Sequence, residues 1–529
     1  MSDQLDQMIA RVRKGAMTRR EFVGRTTAMG ISAGLAGALF TKAAHAEEPK
    51  KGGVIRIGMQ GGESTNSLDP ALAASEVPYQ VNMSWGEMLV DVNPDGSIDH
   101  RIAEEISSSP DATEWKFKIR AGVEFHDGKT VTADDVVATL KRHTDEKSQS
   151  GALGIVQGIT DMKAEGDMVT LKLAAANADL PYLMADYHLM IQPGGGVDNP
   201  AAGIGAGPYK VVVNEPGVRH TFVKHANYFD SSIGHADEVE ILVINDNTAR
   251  TAALQSGQVH MINRVDPKIV ELLKGVPGIQ IRAAAGRGHY VFIMHVDKAP
   301  FDNNDLRMAL KHAVNRQEMV EKILGGLGKA GNDFPINAAY PLFDDSIEQR
   351  EYDAAKAVEY YKKSGHDGSP IILATAPGAF PGAVDAANLF AASAKAAGIP
   401  LEIKLEPDDG YWSNVWNVAP FCASYWGGRP TQDQMYTTAY LSTAEWNDTK
   451  FKNARFDELL MAARGELDAA KRKGMYSEMA HILRDEGGLI LPMFNDFVSG
   501  VSDTIGGWVD DPNGELMNGR AQVRCWLNA

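Results

Sequence analysis

Seven consecutive residues, Glu114-Trp115-Lys116-Phe117-Lys118-Ile119-Arg120, alternate charged and apolar side chains without a break. Side chains on an extended strand repeat every second residue, so Trp115, Phe117 and Ile119 share one face and the three cations the other. This block is a half-buried strand. Gly122–Gly128 follows as a short strand and turn. Thr132 and Asp135 then match a capping box, the hydroxyl at the N-cap and the carboxylate three residues on, ahead of a helix over Val136–Arg142. Met168–Leu173 alternates again and reads as another strand.

The rest of the chain alternates helix and strand signals, which places it in the α/β class. Val54–Ile57 is a first strand, Ser67-Leu68-Asp69-Pro70-Ala71 a turn opening a helix, and Asn93-Pro94-Asp95-Gly96 a hairpin-type turn. Pro208–Val213, Val239–Ile244 and Val259–Asn263 read as strands, with a helix over Thr248–Gly257. Gly203–Gly207 has dinucleotide-like glycine spacing, but it leads into a strand, so no helix N-terminus is offered to a phosphate. Further on, His289–Val296 is an apolar strand, and Ile371–Ala374, Ala383–Ala397 and Leu401–Leu405 form a β-α-β unit. Helices over Phe456–Ala463 and Arg472–Asp485 precede Gly487-Gly488 and the apolar strand Leu489–Phe494. With 529 residues and 44% hydrophobic content the chain can build two or more domains, each with its own core.

Charge and cysteine usage exclude several functions. The net charge is −17, and taking away the seven Lys/Arg and three Asp/Glu of residues 1–46 makes it −21. Nucleic acid and anionic membrane surfaces need basic patches and are excluded as partners. Cys422 and Cys525 are the only cysteines, without zinc-site spacing; they pair in one disulfide or stay as two buried thiols. His220 and His225 fall on opposite faces of a strand, so no metal site and no cofactor is expected. Neither an HExxH motif nor a P-loop occurs, and the Asp134-Asp135 pair has a capping role, which argues against an enzyme.

Residues 1–46 read as an export leader. Thr18-Arg19-Arg20-Glu21-Phe22-Val23 matches a twin-arginine pattern, the apolar run Ala28–Phe40 follows, and Ala44-His45-Ala46 is a small-x-small cleavage site. The run is shorter than the roughly 20 residues that span a bilayer. Removal of the leader leaves a protein in the periplasm with no membrane insertion.

The segment Phe421–Tyr440 gathers aromatic rings, Gly427-Gly428, a lone Arg429 and Pro430, and reads as an irregular binding loop. An aromatic turn covering a core edge explains the same composition.

Several blocks resemble the extracellular solute-binding proteins that serve ATP-binding-cassette importers for dipeptides, oligopeptides, nickel complexes and opine-like compounds. They are Ser67–Ala71, Trp115–Val136 with Arg120–Gly128 at its centre, Gly205-Ala206-Gly207-Pro208-Tyr209, Ala299–Asp302 and Tyr352–Ala357. The resemblance implies a two-lobe periplasmic binding protein fold with a hinge and an additional small domain. Transferred here, lobe I covers 47–93, 200–286 and 488–529, the small domain 94–199, and lobe II 287–487. The chain then crosses between lobes near Gly286-Arg287-Gly288 and near Gly487-Gly488. The implied partners are a small-molecule ligand, closed upon by the two lobes, and a membrane permease, with the protein itself a monomer.

In peptide-binding relatives an Asp follows a Trp-x-Gly-like step and receives the ligand's amino group. Here Tyr425-Trp426-Gly427-Gly428-Arg429 puts an arginine in that place, with Asp433 a substitute if the alignment slips. A guanidinium suits a carboxylate or phosphate, so Arg429 is an anion anchor unless it serves as a structural or rim ion pair. Trp412, Trp416, Tyr425 and Trp426 supply apolar walls beside Gly428, and Tyr79 and Trp85 close the cleft from lobe I. The expected ligand is an anionic or zwitterionic amino-acid derivative, opine-like or a modified peptide. Di- and oligopeptides, a short oligosaccharide and a metal chelate are the alternatives.

Overall fold

Two long strands, Ile279–Met294 and Leu489–Ser502, run antiparallel through the middle of the molecule. The computed structural model describes residues 17–29, 49–145, 149–466 and 468–528, together with Met8 and Ala36. The two strands pair from Ile279↔Ser502 to Ala285↔Asp496 and again from His289↔Phe494 to Ile293↔Leu489, with an irregularity between. Beyond the irregularity, Phe421–Trp426 pairs with His289–Met294, and Ile371–Thr375 and Leu401–Leu405 continue the sheet. On the other side Met261–Ile262, Val54–Met59, Glu238–Val243, Arg219–Lys224 and Tyr209–Glu215 follow in order. One sheet of 11 strands therefore carries both halves.

Burial explains the sequence pattern of the central strands. Val291, Phe292, Ile293 and Met294 are all buried, because helices cover both faces, so the strand reads as an unbroken apolar run. The parallel neighbours Ile371–Thr375 and Leu401–Leu405 are joined by the helix Ala383–Ala396, as a parallel pair requires. A large core fills the half around Phe292, Phe390 and Tyr436, and a second around Ile57, Trp85 and Tyr209 fills the other half.

A separate four-stranded antiparallel sheet runs Ala103–Ser108, Glu114–Ile119, Met168–Leu173, Ile159–Glu165. The alternating block is its second strand. Phe117 and Ile119 enter a third core, and the indole of half-buried Trp115 donates to the Asn177 carbonyl at 3.0 Å. The helix Ala133–Arg142 opens with the capping box, Asp135 N–H donating to Thr132 Oγ1 and Thr132 N–H to Asp135 Oδ2.

One expectation is corrected. Phe421–Tyr440 is not one irregular loop: Phe421–Trp426 is a buried strand and Gln432–Ala439 a helix, leaving only Gly427–Thr431 between them. The strand forms because both its edges find partners, in His289–Met294 and Ile371–Thr375. Leu489–Phe494 pairs with His289–Ile293, and past Asn495 the same strand pairs with Ile279–Ala285. Gly487 ends the helix Ala469–Glu486. The cysteines are both free, Cys422 in the core around Phe292 and Cys525 in the core around Ile57.

At the first crossing, a Cβ on Gly286 would stand 2.6 Å from the Phe497 ring and one on Gly288 also 2.6 Å. Glycine is there because the opposite strand's phenyl ring occupies the space. Arg19 and Arg20 are the first residues of a helix Arg19–Ala28 capped by Thr18 and Glu21. The apolar run, apart from Ala28, Met29 and Ala36, and the Ala44-His45-Ala46 pattern lie outside the described residues. No described helix is long and apolar enough to cross a membrane.

The ring of Phe292 is fully buried between Phe390 at 5.3 Å and Phe380 at 6.4 Å. Phe292→Ala is expected to destabilise this half by about 3–5 kcal/mol through cavity formation. Urea unfolding followed by circular dichroism will show an earlier transition, and an unchanged midpoint would contradict the packing described.

Candidate functional site

A concave space lined by aromatic and charged groups lies where the two halves of the sheet meet the segment Ala185–Tyr187. It measures about 970 Å³ and draws its wall from Glu76, Tyr79, Asp186, Tyr187, Trp412, Tyr425, Trp426, Arg429 and Glu515, among others. The helix Glu76–Trp85 supplies Glu76 and Tyr79, and the strand Phe421–Trp426 ends on the wall with Tyr425 and Trp426.

Seven of the eight residues expected from sequence come together here: Tyr79, Trp412, Trp416, Tyr425, Trp426, Gly428 and Arg429. Trp85 does not. It is fully buried in the core around Ile57, under the Gly205–Tyr209 turn, with Gly207 N–H donating to its carbonyl at 3.0 Å. An indole fits a protein core as well as a cleft, and its place in the helix sends it inward. Asp433 is no substitute for Arg429, because it is fully buried off the cavity wall, its carboxylate accepting from Arg464 Nε at 2.7 Å.

Arg429 is held by its own backbone. Its N–H donates to the Tyr340 hydroxyl at 3.1 Å, and Nη1 donates to the Gly428 carbonyl at 2.7 Å. Gly428 has φ +84°, and a Cβ there would lie 2.4 Å from Arg287 Cβ, so only glycine lets this loop rest on the crossing strand. Arg429 Nε and Nη2 are buried without a hydrogen-bond partner. The nearest carboxylate oxygen, Asp186 Oδ2, stands 3.8 Å from Nε, and it accepts instead from Gln434 Nε2 at 3.3 Å. Burial works against the cation, but Tyr187 and Asp186 outweigh it and keep Arg429 charged. Asp186 loses more by burial than by any other single cause, yet His188 at 2.5 Å and Arg429 hold it down at about 2.

The aromatic wall is braced from behind. Trp416 Nε1 and Trp426 Nε1 both donate to Asp448 Oδ2 at 3.1 Å, so the polar atoms of both indoles are spent away from the cavity. Burial pushes Asp448 up to about 7 in spite of these two bonds. Trp412 meets Tyr425 edge-on at 5.0 Å, and Trp446, not anticipated, meets Trp416 at 5.4 Å. What remains toward the cavity is apolar ring surface suited to stacking.

The same cavity is lined by an acidic face that sequence reasoning missed. Glu515 accepts from Arg264 Nε at 2.7 Å and from Asn263 Nδ2 at 3.0 Å, whereas Glu76 accepts from Arg264 Nη2 at the longer distance of 3.4 Å. Arg264 is itself capped by the Tyr425 ring, 3.9 Å from its guanidinium carbon, and is not on the wall. Burial and the neighbouring Glu515 push Glu76 up to about 8. These groups come from residues 76, 264 and 515, and no local pattern announces such an assembly.

Across the mouth, Glu63 Oε1 accepts from Trp412 N–H at 2.8 Å, Asp409 accepts from Ser64 N–H at 3.0 Å, and Thr65 and Ser413 share a hydrogen bond at 2.9 Å. The two halves are thus in contact over the cavity. Among the described residues no group of three or more His, Cys, Asp and Glu side chains has the arrangement of a metal site.

The model for bacterial extracellular solute-binding proteins, family 5 Middle, matches residues 97–448. Heme-binding protein A of Haemophilus influenzae is 24% identical over 488 residues, 84% of this chain and 86% of that protein. Among solved structures, AgaA from A. tumefaciens R10 in complex with agropinic acid superposes with a TM-score of 0.82 at 24% identity, covering 90% of this chain and 99% of that one. Helicobacter pylori DppA in complex with peptide STSA has a TM-score of 0.82 at 21% identity, covering 91% and 99%. At these identities the solved structures establish the two-lobe binding-protein fold. The family model spans most of the chain, and the protein belongs to the bacterial extracellular solute-binding proteins of family 5, as a binding protein and not an enzyme.

Proposed function

We propose that the protein captures an anionic or zwitterionic amino-acid derivative, opine-like or a modified peptide, between its lobes and passes it to the permease of an ATP-binding-cassette importer. It does so as a monomer in the periplasm, where the leader of residues 1–46 directs it. The observation that carries this reading is Arg429, a buried cation on the cavity wall whose Nε and Nη2 lack partners. A carboxylate accepts two parallel bonds from that edge of a guanidinium, which supplies both missing acceptors and a counter-charge. The indole faces of Trp412, Trp416 and Trp426 would hold the ligand's body. AgaA, with the same fold, binds an acid, agropinic acid.

Lobe I is assigned to residues 47–93, 200–286 and 488–529, the small domain to 94–199, and lobe II to 287–487. The bonds of Glu63, Ser64 and Thr65 to the Asp409–Ser413 segment belong to the closed state. A ligand touching both lobes favours that state by the difference in its affinity for closed and open forms.

Calorimetry with agropinic acid, the peptide STSA and neutral maltotriose tests the ligand class. The acid is expected to bind most tightly, and Arg429→Ala to weaken it by about 30-fold or more, the cost of losing a buried charge-assisted pair. Tightest binding of maltotriose, or unchanged affinity in the variant, would overturn the reading. Small-angle scattering of the protein with and without saturating agropinic acid is expected to show a smaller radius of gyration in the complex; equal radii would contradict closure.

A further inference from the structure

The cavity wall carries Arg429 and four carboxylates, Glu76, Asp91, Asp186 and Glu515. Three of the four are committed. Asp91 accepts from Arg520 Nε at 2.9 Å and Arg524 Nη2 at 3.2 Å, Asp186 from His188, and Glu515 from Arg264 at 2.7 Å. Glu76 has the longest contact of the set, 3.4 Å to an Arg264 already engaged by Glu515. Because Arg264 stands behind the two glutamates and under the Tyr425 ring, the surface they turn to the cavity is acidic while their shared cation is out of a ligand's reach.

We propose that the Glu76–Glu515 face seats an ammonium group of the ligand, in the same cavity where Arg429 holds its carboxylate. This deepens the anion-anchor reading and rests on it, and it narrows the substrate class to zwitterions with a free amine. The unpartnered Nε and Nη2 of Arg429, on the same wall, mark the cavity as built for a charged occupant.

Protonation follows the same geometry. Arg264, Glu515, Tyr425 and, farther off, Arg429 face the Glu76 carboxyl. Tyr79, Tyr187 and Tyr290 are its other titratable neighbours, phenols raised chiefly by burial and therefore neutral. With Glu76 raised to about 8, the free site holds a proton at neutral pH. An ammonium favours the carboxylate, so binding expels that proton, and affinity for the amine strengthens as pH rises toward that value.

The test uses an equimolar pool of L-glutamate, γ-glutamylalanine and alanylglutamate with the N-acetyl derivative of each, incubated with the leaderless protein and read by native mass spectrometry. The wild type is expected to retain free-amine members at least tenfold over their acetylated counterparts. Its affinity for the retained amine, measured by calorimetry, should rise about tenfold from pH 6 to pH 7, a rise absent in Glu76→Gln. Retention of acetylated and free forms alike, with both lost in Arg429→Ala, overturns the ammonium seat and leaves the anion anchor standing. Retention that is indifferent to Arg429→Ala, or no retention at all, overturns both. A wild-type affinity that does not change with pH also overturns the seat.

Discussion

The antiparallel pair Ile279–Met294 and Leu489–Ser502 constrains everything else in the molecule, because the same two strands belong to both halves of the sheet. Any motion of one half against the other must bend this pair. The ladder loses its regular register between Ala285 and His289, at Gly286 and Gly288, where Phe497 fills the room a side chain would need. The loop that presents Arg429 rests on this point through the close approach of Gly428 to Arg287. The candidate site and the crossing are therefore mechanically joined: a ligand engaging Arg429 would pull beside the strands shared by both halves.

The second constraint is electrostatic. Burying a charge is costly unless it is paired, and the protein pairs most of its buried ions within itself, as in Arg316 and Arg350 on Asp333 or Arg520 on Asp91 and Glu87. The cavity wall departs from that habit at two places. Arg429 keeps two N–H groups unpaired, and Glu76 shares a guanidinium with Glu515. The tryptophans between them have turned their own polar atoms inward to Asp448. On the cavity wall, a ligand of opposite charge pattern would complete both groups.

Much of this was legible in the sequence, and the reasons are local. The Glu114–Arg120 alternation declared a half-exposed strand because each residue's environment follows from its parity. Thr132 and Asp135 declared a helix start because both partners lie within one turn. Arg429 stood out as a lone cation among aromatic rings, and the structure sets it on the cavity wall with six of the other expected residues. What escaped notice depends on distance along the chain. Trp85 could not be told from a cleft tryptophan by composition, since burial is decided by the turn that covers it. Glu76, Arg264 and Glu515 meet only after the sheet is assembled, and nothing about any one of them signals the others. The strand at Phe421–Trp426 was hidden because both its neighbours are remote in sequence.

The central claim is that one cavity wall offers a buried cation, Arg429, a Glu76–Glu515 acidic face and aromatic surface to the same ligand. The most direct measurement is mass spectrometry of the small molecule released when protein isolated from its own cells is denatured. The account predicts a compound bearing both a carboxylate and a basic nitrogen. A neutral sugar in that position would contradict it.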